Sequence, residues 1–185
     1  MRWIVTTQAN PERAECASNI SSIPSRGGFL ALGRAKPELY KAISDVANLI
    51  MRSDGVLSGG ERELVASYVS RLNHCAFCCD AHTATAQELG YADAANLLDH
   101  PDDKLKALFT LAEKVVRRDP VMERGDVEAA IAAGWSEAAV EETIHVAALF
   151  SFFNCVVDAY GFQATPAEFA QYAKFLAKTY QLAQW

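Results

Sequence analysis

The chain has 185 residues, room for one domain of ordinary size. Hydrophobic residues make up 51% and charged residues 22%, the proportions of a globular protein and not of a disordered one. The net charge of −6 argues against a partner such as nucleic acid, whose phosphates call for a basic face. The longest apolar stretch, residues 146–153, is interrupted by Ser151 and falls well short of the roughly 18 apolar residues of a membrane span. Residues 1–8 lack the apolar segment of a secretory signal. The expectation is a soluble cytoplasmic protein with no membrane partner.

Residues 1–35 read as an irregular N-terminal extension. Asn10-Pro11, Ser21-Ser22, Pro24 and Gly27-Gly28 break any long period there. A helical domain, residues 36–185, follows. Pro37 suits a first helical turn, and Leu39, Ile43, Val46, Ala47 and Ile50 recur at helical spacing until Asp54-Gly55. Ser58-Gly-Gly-Glu61 has the form of a capping box, opening a second helix that Asn73-His74 ends. A third runs from about residue 75 to residue 89, stopped by Gly90. A short helix near 92–98, one opened by Asp102 or Asp103 and ending before Pro120, and one over 126–133 stopped by Gly134 come next. Ser136 opens a long helix to about Tyr160, with Gly161 at its end. Thr165-Pro166-Ala-Glu168 opens the last, expected to reach about Leu182. No strand pattern interrupts the series, so the fold class is all-α, with about seven or eight helices.

The long helix is apolar nearly all round over residues 146–157. Such a helix must be covered on several sides, as a central core helix, by a second subunit, or both, and a homo-oligomer is expected.

Five cysteines occur, Cys16, Cys75, Cys78, Cys79 and Cys155, and three of them fall within five consecutive residues. Secreted scaffolds spread cysteines to close loops; clustered ones point to redox or metal chemistry in a reducing compartment. On a helix, Cys75, Cys78 and His82 share one face. The two cysteines are close enough to pair, and Cys78 lies one turn from His82. Glu63, on the preceding helix, can fold back to orient the histidine, as the third group of a catalytic triad does. The helix N-terminus favours Cys75 as the reactive thiol, whereas proximity to His82 favours Cys78.

Magnitudes indicate what His82 is for. Lowering a thiol pKa from about 8.5 to about 6.5 raises its thiolate fraction at pH 7 roughly 25-fold. It also costs roughly 8-fold in intrinsic nucleophilicity, leaving about threefold. Protonating a departing oxygen is worth roughly 10²–10⁴. The arrangement therefore suits attack of sulfur on an O–O bond, with a Glu–His pair delivering the proton.

The run Glu63-x₁₁-Cys75-x₂-Cys78-x₃-His82 resembles the core motif of the alkylhydroperoxidase D (AhpD)-like group of the carboxymuconolactone decarboxylase superfamily, in particular its peroxidase-related members. The match is strongest over about residues 56–90, with a weaker one from Trp135-Ser136 through Asn154 and Gly161, and residues 1–35 lie outside it. The resemblance implies an all-helical fold assembled as trimers or hexamers. It implies a peroxidase in which Cys78 attacks a hydroperoxide, Cys75 resolves the sulfenic acid to a disulfide, and His82 and Glu63 relay the proton. A dithiol partner, a lipoylated or thioredoxin-like protein, would restore the thiols, and neither cofactor nor metal is implied. Some members carry a second histidine between the cysteines, where this chain has Phe77. Superfamily decarboxylases acting on lactones generally lack the cysteine pair.

Blander explanations compete. Cys-x₂-Cys-x₃-His offers three zinc ligands, yet structural zinc usually wants a second Cys/His pair, and none is present. The cysteines would also serve as small buried apolar groups in a non-catalytic helical oligomer. Cys79 points about 100° from Cys78 and reads as a buried spectator. His145 on the long helix reads as a satisfied core histidine. Gly28-x₄-Gly33-Arg34 lacks the Lys-Ser/Thr of a phosphate loop.

Overall fold

The structure, a computed structural model, describes residues 18–182. Among the described residues there are nine helices and no strands. They are α1 Gly28–Ala35, α2 Pro37–Arg52, α3 Gly59–Leu72, α4 Ala76–Glu88, α5 Ala94–Asp99, α6 Asp103–Arg117, α7 Arg124–Ala132, α8 Glu137–Tyr160 and α9 Pro166–Leu176. The fold is all-α, as the periodicity predicts.

Local chemistry sets most boundaries. Ser58 Oγ accepts from the Glu61 amide while the Glu61 carboxylate accepts from the Ser58 amide, and Thr165 with Glu168 does the same for α9. Ser136 and Asp102 cap α8 and α6 through their side chains. Gly161 ends α8 at φ 69°, a left-handed position that favours glycine.

Helix α3 is the central element. Nine of its 14 residues are buried, on more than one face, including Leu64, Val65 and Val69 at 0% exposure. It packs against α4, α8 and α6, and α4 is covered on another side by α9. Burial of each such side chain contributes about 1.5–3 kcal/mol. The long helix α8 buries nine residues, among them Val146, Phe150, Phe153 and Val157. Ala148, Phe152 and Cys155 remain exposed on its opposite side. It is the one described helix long and apolar enough to cross a membrane by length and composition, and its buried face belongs to the core.

Two expectations need correction. Residues 28–35, within the segment read as irregular, form α1; Phe29, Ala31 and Leu32 anchor it against Tyr40, Phe153 and the rest of the core. Residues 1–17 of that segment, with Cys16, lie outside the described residues. At the other end, α9 stops at Leu176 instead of running to Leu182. Residues 179–182 instead run as a strap along α2, held by the Asn48 side chain, which accepts from Thr179 Oγ1 and the Tyr180 amide, each at 2.9 Å.

Candidate functional site

The corner between α3 and α4 presents the cysteines. Asn73 ends α3, and His74 adopts a left-handed conformation at φ 61°, one that histidine tolerates better than most residues. The Cys75 amide then donates back to Ser70 O at 2.9 Å, closing the turn. Asn154 of α8, buried at 1% exposure, braces this corner: it accepts from Asn73 Nδ2 at 2.9 Å and donates to Ser70 Oγ at 3.0 Å. Cys75 is the N-cap of α4, not its first helical residue, and Cys78 and His82 follow within the first two turns.

The four predicted site residues come together and are buried. Cys75 and Glu63 are fully enclosed, while Cys78 and His82 keep 5% and 4% exposure. The Cys75 thiol donates to Cys78 Sγ at 2.8 Å. That is longer than the roughly 2.05 Å of a disulfide, and both cysteines are free thiols. The hydrogen bond to Cys78, burial and the nearby Asp158 push the Cys75 thiol far up, so it stays protonated. Cys78 is thus the sulfur that accepts, and Cys75 the one that donates.

Glu63 is the electrostatic hub. His82 Nδ1 meets its Oε2 at 2.7 Å, and Tyr180 Oη donates to its Oε1 at 2.8 Å. Arg52 of α2 also donates to Oε1 in a buried salt bridge. Burial opposes ionisation of this carboxyl, but His82 and Arg52 outweigh it, and its pKa lies below the ordinary glutamate value. An ionised Glu63 accepts only, so His82 Nδ1 carries a hydrogen and Nε2 is left for the chemistry. The Phe150 ring packs edge-on to the imidazole, with centroids 4.1 Å apart, and restricts its orientation.

Cys78 and His82 line one cavity of about 90 Å³. Its walls are almost wholly apolar: Phe29, Phe77, Phe150, Phe153 and Leu176, with the Tyr172 and Tyr180 rings. Cys75 lies behind Cys78 and does not line it. Phe77, between the two cysteines, packs against Phe169, centroids 5.3 Å apart. It also closes on Gly28, where a Cβ would come within 3.2 Å of its ring. Among the described residues the cavity is lined by one histidine, His82, and Phe77 presents apolar surface to it.

Several expectations are refined. Glu63 does reach His82 from the preceding helix. His145 is exposed on α8 and neither enters the core nor approaches the site, because it falls on the open side of that helix. Cys79 faces α3, where Ser67 Oγ lies 3.5 Å from its sulfur, and is partly buried. Among the described residues no group of three or more His, Cys, Asp or Glu side chains is placed to hold a metal ion. Three residues outside the motif complete the site: Arg52, Asn154 and Tyr180. Arg52 and Tyr180 carried no signal in the sequence, whereas Asn154 fell at the edge of the weaker match.

The carboxymuconolactone decarboxylase family profile matches residues 37–97, a span that contains Glu63, Cys75, Cys78 and His82. That match, with two similar solved structures, supports assignment to the AhpD-like, carboxymuconolactone decarboxylase superfamily. Among solved structures it is similar to an uncharacterized peroxidase-related protein from Silicibacter sp. TM1040, at 26% identity and a TM-score of 0.69, over 76% of this chain and 77% of that one. A second, an uncharacterized peroxidase-related protein with an alkylhydroperoxidase AhpD core from Ralstonia eutropha JMP134, shares the fold. There the identity is 22% and the TM-score 0.68, over 78% and 79% of the two chains. No curated protein matches.

Proposed function

We propose that this chain is a thiol-dependent peroxidase that reduces hydroperoxides through Cys78 and Cys75. The observation that carries the reading is the shared cavity of Cys78 and His82, with Cys75 at 2.8 Å behind and Glu63 at 2.7 Å on the far side of the imidazole. Cys78 sulfur, its proton taken by His82 Nε2, attacks the terminal oxygen of the peroxide. The S–O bond forms, the O–O bond breaks, and the departing alkoxide takes the proton from Nε2. Cys75 sulfur then attacks the sulfenic acid sulfur, forming the disulfide and releasing water. Placement supports these roles, since only Cys78 is open to the cavity while Cys75 is sealed behind it.

A dithiol of a partner protein, lipoylated or thioredoxin-like, returns the disulfide to two thiols. The reading includes a cytoplasmic setting, supported by the clustered free cysteines. It also includes self-association. Helix α2 exposes Leu39, Val46 and Leu49, at helical spacing and 50–65% exposed, and the adjacent α8 exposes Phe152 at 46%. Exposed apolar side chains of this kind are what a second copy covers.

The test is thiol titration before and after one equivalent of tert-butyl hydroperoxide. Wild type is expected to lose two thiols together, Cys75→Ser to stop at a dimedone-reactive sulfenic acid on Cys78, and Cys78→Ser to consume no peroxide. Undiminished consumption by Cys78→Ser would end the proposal.

A further inference from the structure

Tyr180 stands 117 residues from Glu63 in sequence, yet its hydroxyl donates to Glu63 Oε1 at 2.8 Å. The same hydroxyl lies 3.4 Å from His82 Nδ1. The Arg52 guanidinium lies 5.0 Å from the centroid of its ring, which also lines the cavity. Nothing in the motif requires a residue here. The strap that carries Tyr180 is nonetheless pinned with care: Asn48 Oδ1 accepts from both Thr179 Oγ1 and the Tyr180 amide, and Leu182 N donates to Ser44 Oγ at 3.4 Å.

We infer that Tyr180 is a positioning residue that sets how strongly Glu63 holds the proton on His82. The inference rests on the peroxidase reading for its purpose, though not for its geometry. Glu63 has two oxygens with different duties. Oε1 is taken by Arg52 and Tyr180, and Oε2 is left to His82. A donor on Oε1 draws negative charge away from Oε2, and so weakens the grip of the carboxylate on the imidazolium. A histidine that must release its proton to a departing alkoxide in every turnover works best when that grip is moderate. Too strong a grip keeps the proton; too weak a grip loses the tautomer.

The charged and titratable groups facing this point are few. Helix α2 gives Arg52, α3 gives Glu63, α4 gives Cys78 and His82, and the strap gives Tyr180, while α8 contributes the Phe150 ring against the imidazole. Tyr180 is buried, and burial with the neighbouring Glu63 raises its own pKa well above the ordinary tyrosine value. It therefore remains a hydrogen-bond donor throughout the working pH range.

Loss of one hydrogen bond to a carboxylate shifts proton affinity there by roughly one pH unit, of which His82 shares a part. Tyr180→Phe keeps the ring, its place over Arg52 and its share of the cavity wall, and removes only the donor. The expected result is an NMR titration midpoint of the His82 ring resonances roughly half a unit or more higher than in wild type. Asn48→Ala, which frees the strap while leaving the phenol intact, is expected to shift the midpoint in the same direction. An unchanged or lower midpoint in Tyr180→Phe overturns the inference, and if that variant does not fold, the Asn48→Ala midpoint decides in the same way. Peroxide consumption by wild type is measured alongside. A raised midpoint without wild-type turnover refutes the peroxidase reading alone; turnover without a raised midpoint refutes the role of Tyr180 alone.

Discussion

Glu63→Gln separates the electrostatic role of the hub from its role in packing. The replacement is nearly isosteric, so the effects follow from charge. Arg52 and Tyr180 both donate to the Oε1 side, so the glutamine carbonyl stays there and its amide N–H₂ turns towards His82 Nδ1. His82 must then accept at Nδ1 and carry its hydrogen on Nε2 as a neutral imidazole, a poor acid for a leaving alkoxide. The loss of a placed general acid lowers peroxide turnover by about 10²–10⁴. Alkylation of the thiols by iodoacetamide has no basic leaving oxygen, and it is expected to change by only about threefold, the net worth of thiol activation. Stability falls as well. Arg52 and Glu63 side chains are 9% and 0% exposed, and neutralising one partner leaves a buried charge unpaired. Such losses cost about 3–5 kcal/mol. Arg52 keeps its bonds to Leu176 O at 2.8 Å and Met51 O at 2.6 Å, which points to the lower end. At ~2–4 °C per kcal/mol, a chain of this size then melts about 6–12 °C lower. The assays are single-turnover peroxide consumption, iodoacetamide labelling of Cys78 read by mass spectrometry, and calorimetry. Equal slowing of the two reactions would refute the proton-delivery argument, whatever the melting temperature does.

Acid sensitivity follows from two carboxylates held below the ordinary glutamate value. Burial works against ionised Glu63, and His82 and Arg52 overcome it; burial likewise opposes ionised Glu142, overcome by the Val56 and Leu57 amides and Arg62. Groups depressed in the folded state add stability that is present above the unfolded value, 4.5, and lost as pH falls below it towards their folded values. The urea midpoint is expected to drop over that acid range, and Glu142→Gln to flatten the drop; a Glu142→Gln profile parallel to wild type would contradict this. Self-association through the α2 and α8 face predicts that Val46→Glu with Leu49→Glu lowers the mass measured by light scattering. Val121→Glu, at an apolar position of 68% exposure in the segment before α7, serves as control and leaves the mass unchanged. A wild type that already runs as a monomer would refute that part of the proposal.

What the sequence made legible divides by distance along the chain. Glu63, Cys75, Cys78 and His82 fall within 20 consecutive residues on two successive helices, so spacing puts Cys75, Cys78 and His82 on one face and lets Glu63 fold back to them, and the resemblance adds the relay. Caps such as Ser58–Glu61 and Thr165–Glu168 are equally local, and the side chains bond as their spacing predicts. Arg52, Asn154 and Tyr180 are common residue types whose partners lie on other helices, and no local period marks them. Helix α1 was hidden because Gly27 and Gly28 look like breakers, whereas here they turn the chain into the helix at φ 95° and 47°. The length of α9 was overestimated because residues 177–182 keep an acceptable helical composition. The amides of residues 177–179 still bond back to Ala173 and Phe175, but those of Tyr180 and Leu182 go to Asn48 and Ser44 of α2, a choice made by tertiary contacts.

The buried polar cluster itself argues for chemistry more than for stability. Removing an arginine and a glutamate from water costs several kcal/mol per ion, and hydrophobic residues of similar volume often fill such space with no loss. Helix α3 already buries Leu64, Val65 and Val69 around Glu63, so the core has no shortage of apolar surface there. The ions are also not arranged for mutual attraction alone. Arg52 and Tyr180 crowd one carboxylate oxygen and leave the other to His82, which faces the cavity beside Cys78. With neutral imidazole the charges of Arg52 and Glu63 cancel, and with imidazolium the cluster gains a single charge. The carboxylate shares that charge at 2.7 Å, so a proton can enter and leave His82 without stranding a bare ion in apolar surroundings. A cluster built only to hold helices together has no need of that tolerance; a histidine that gives up a proton beside a buried thiol does.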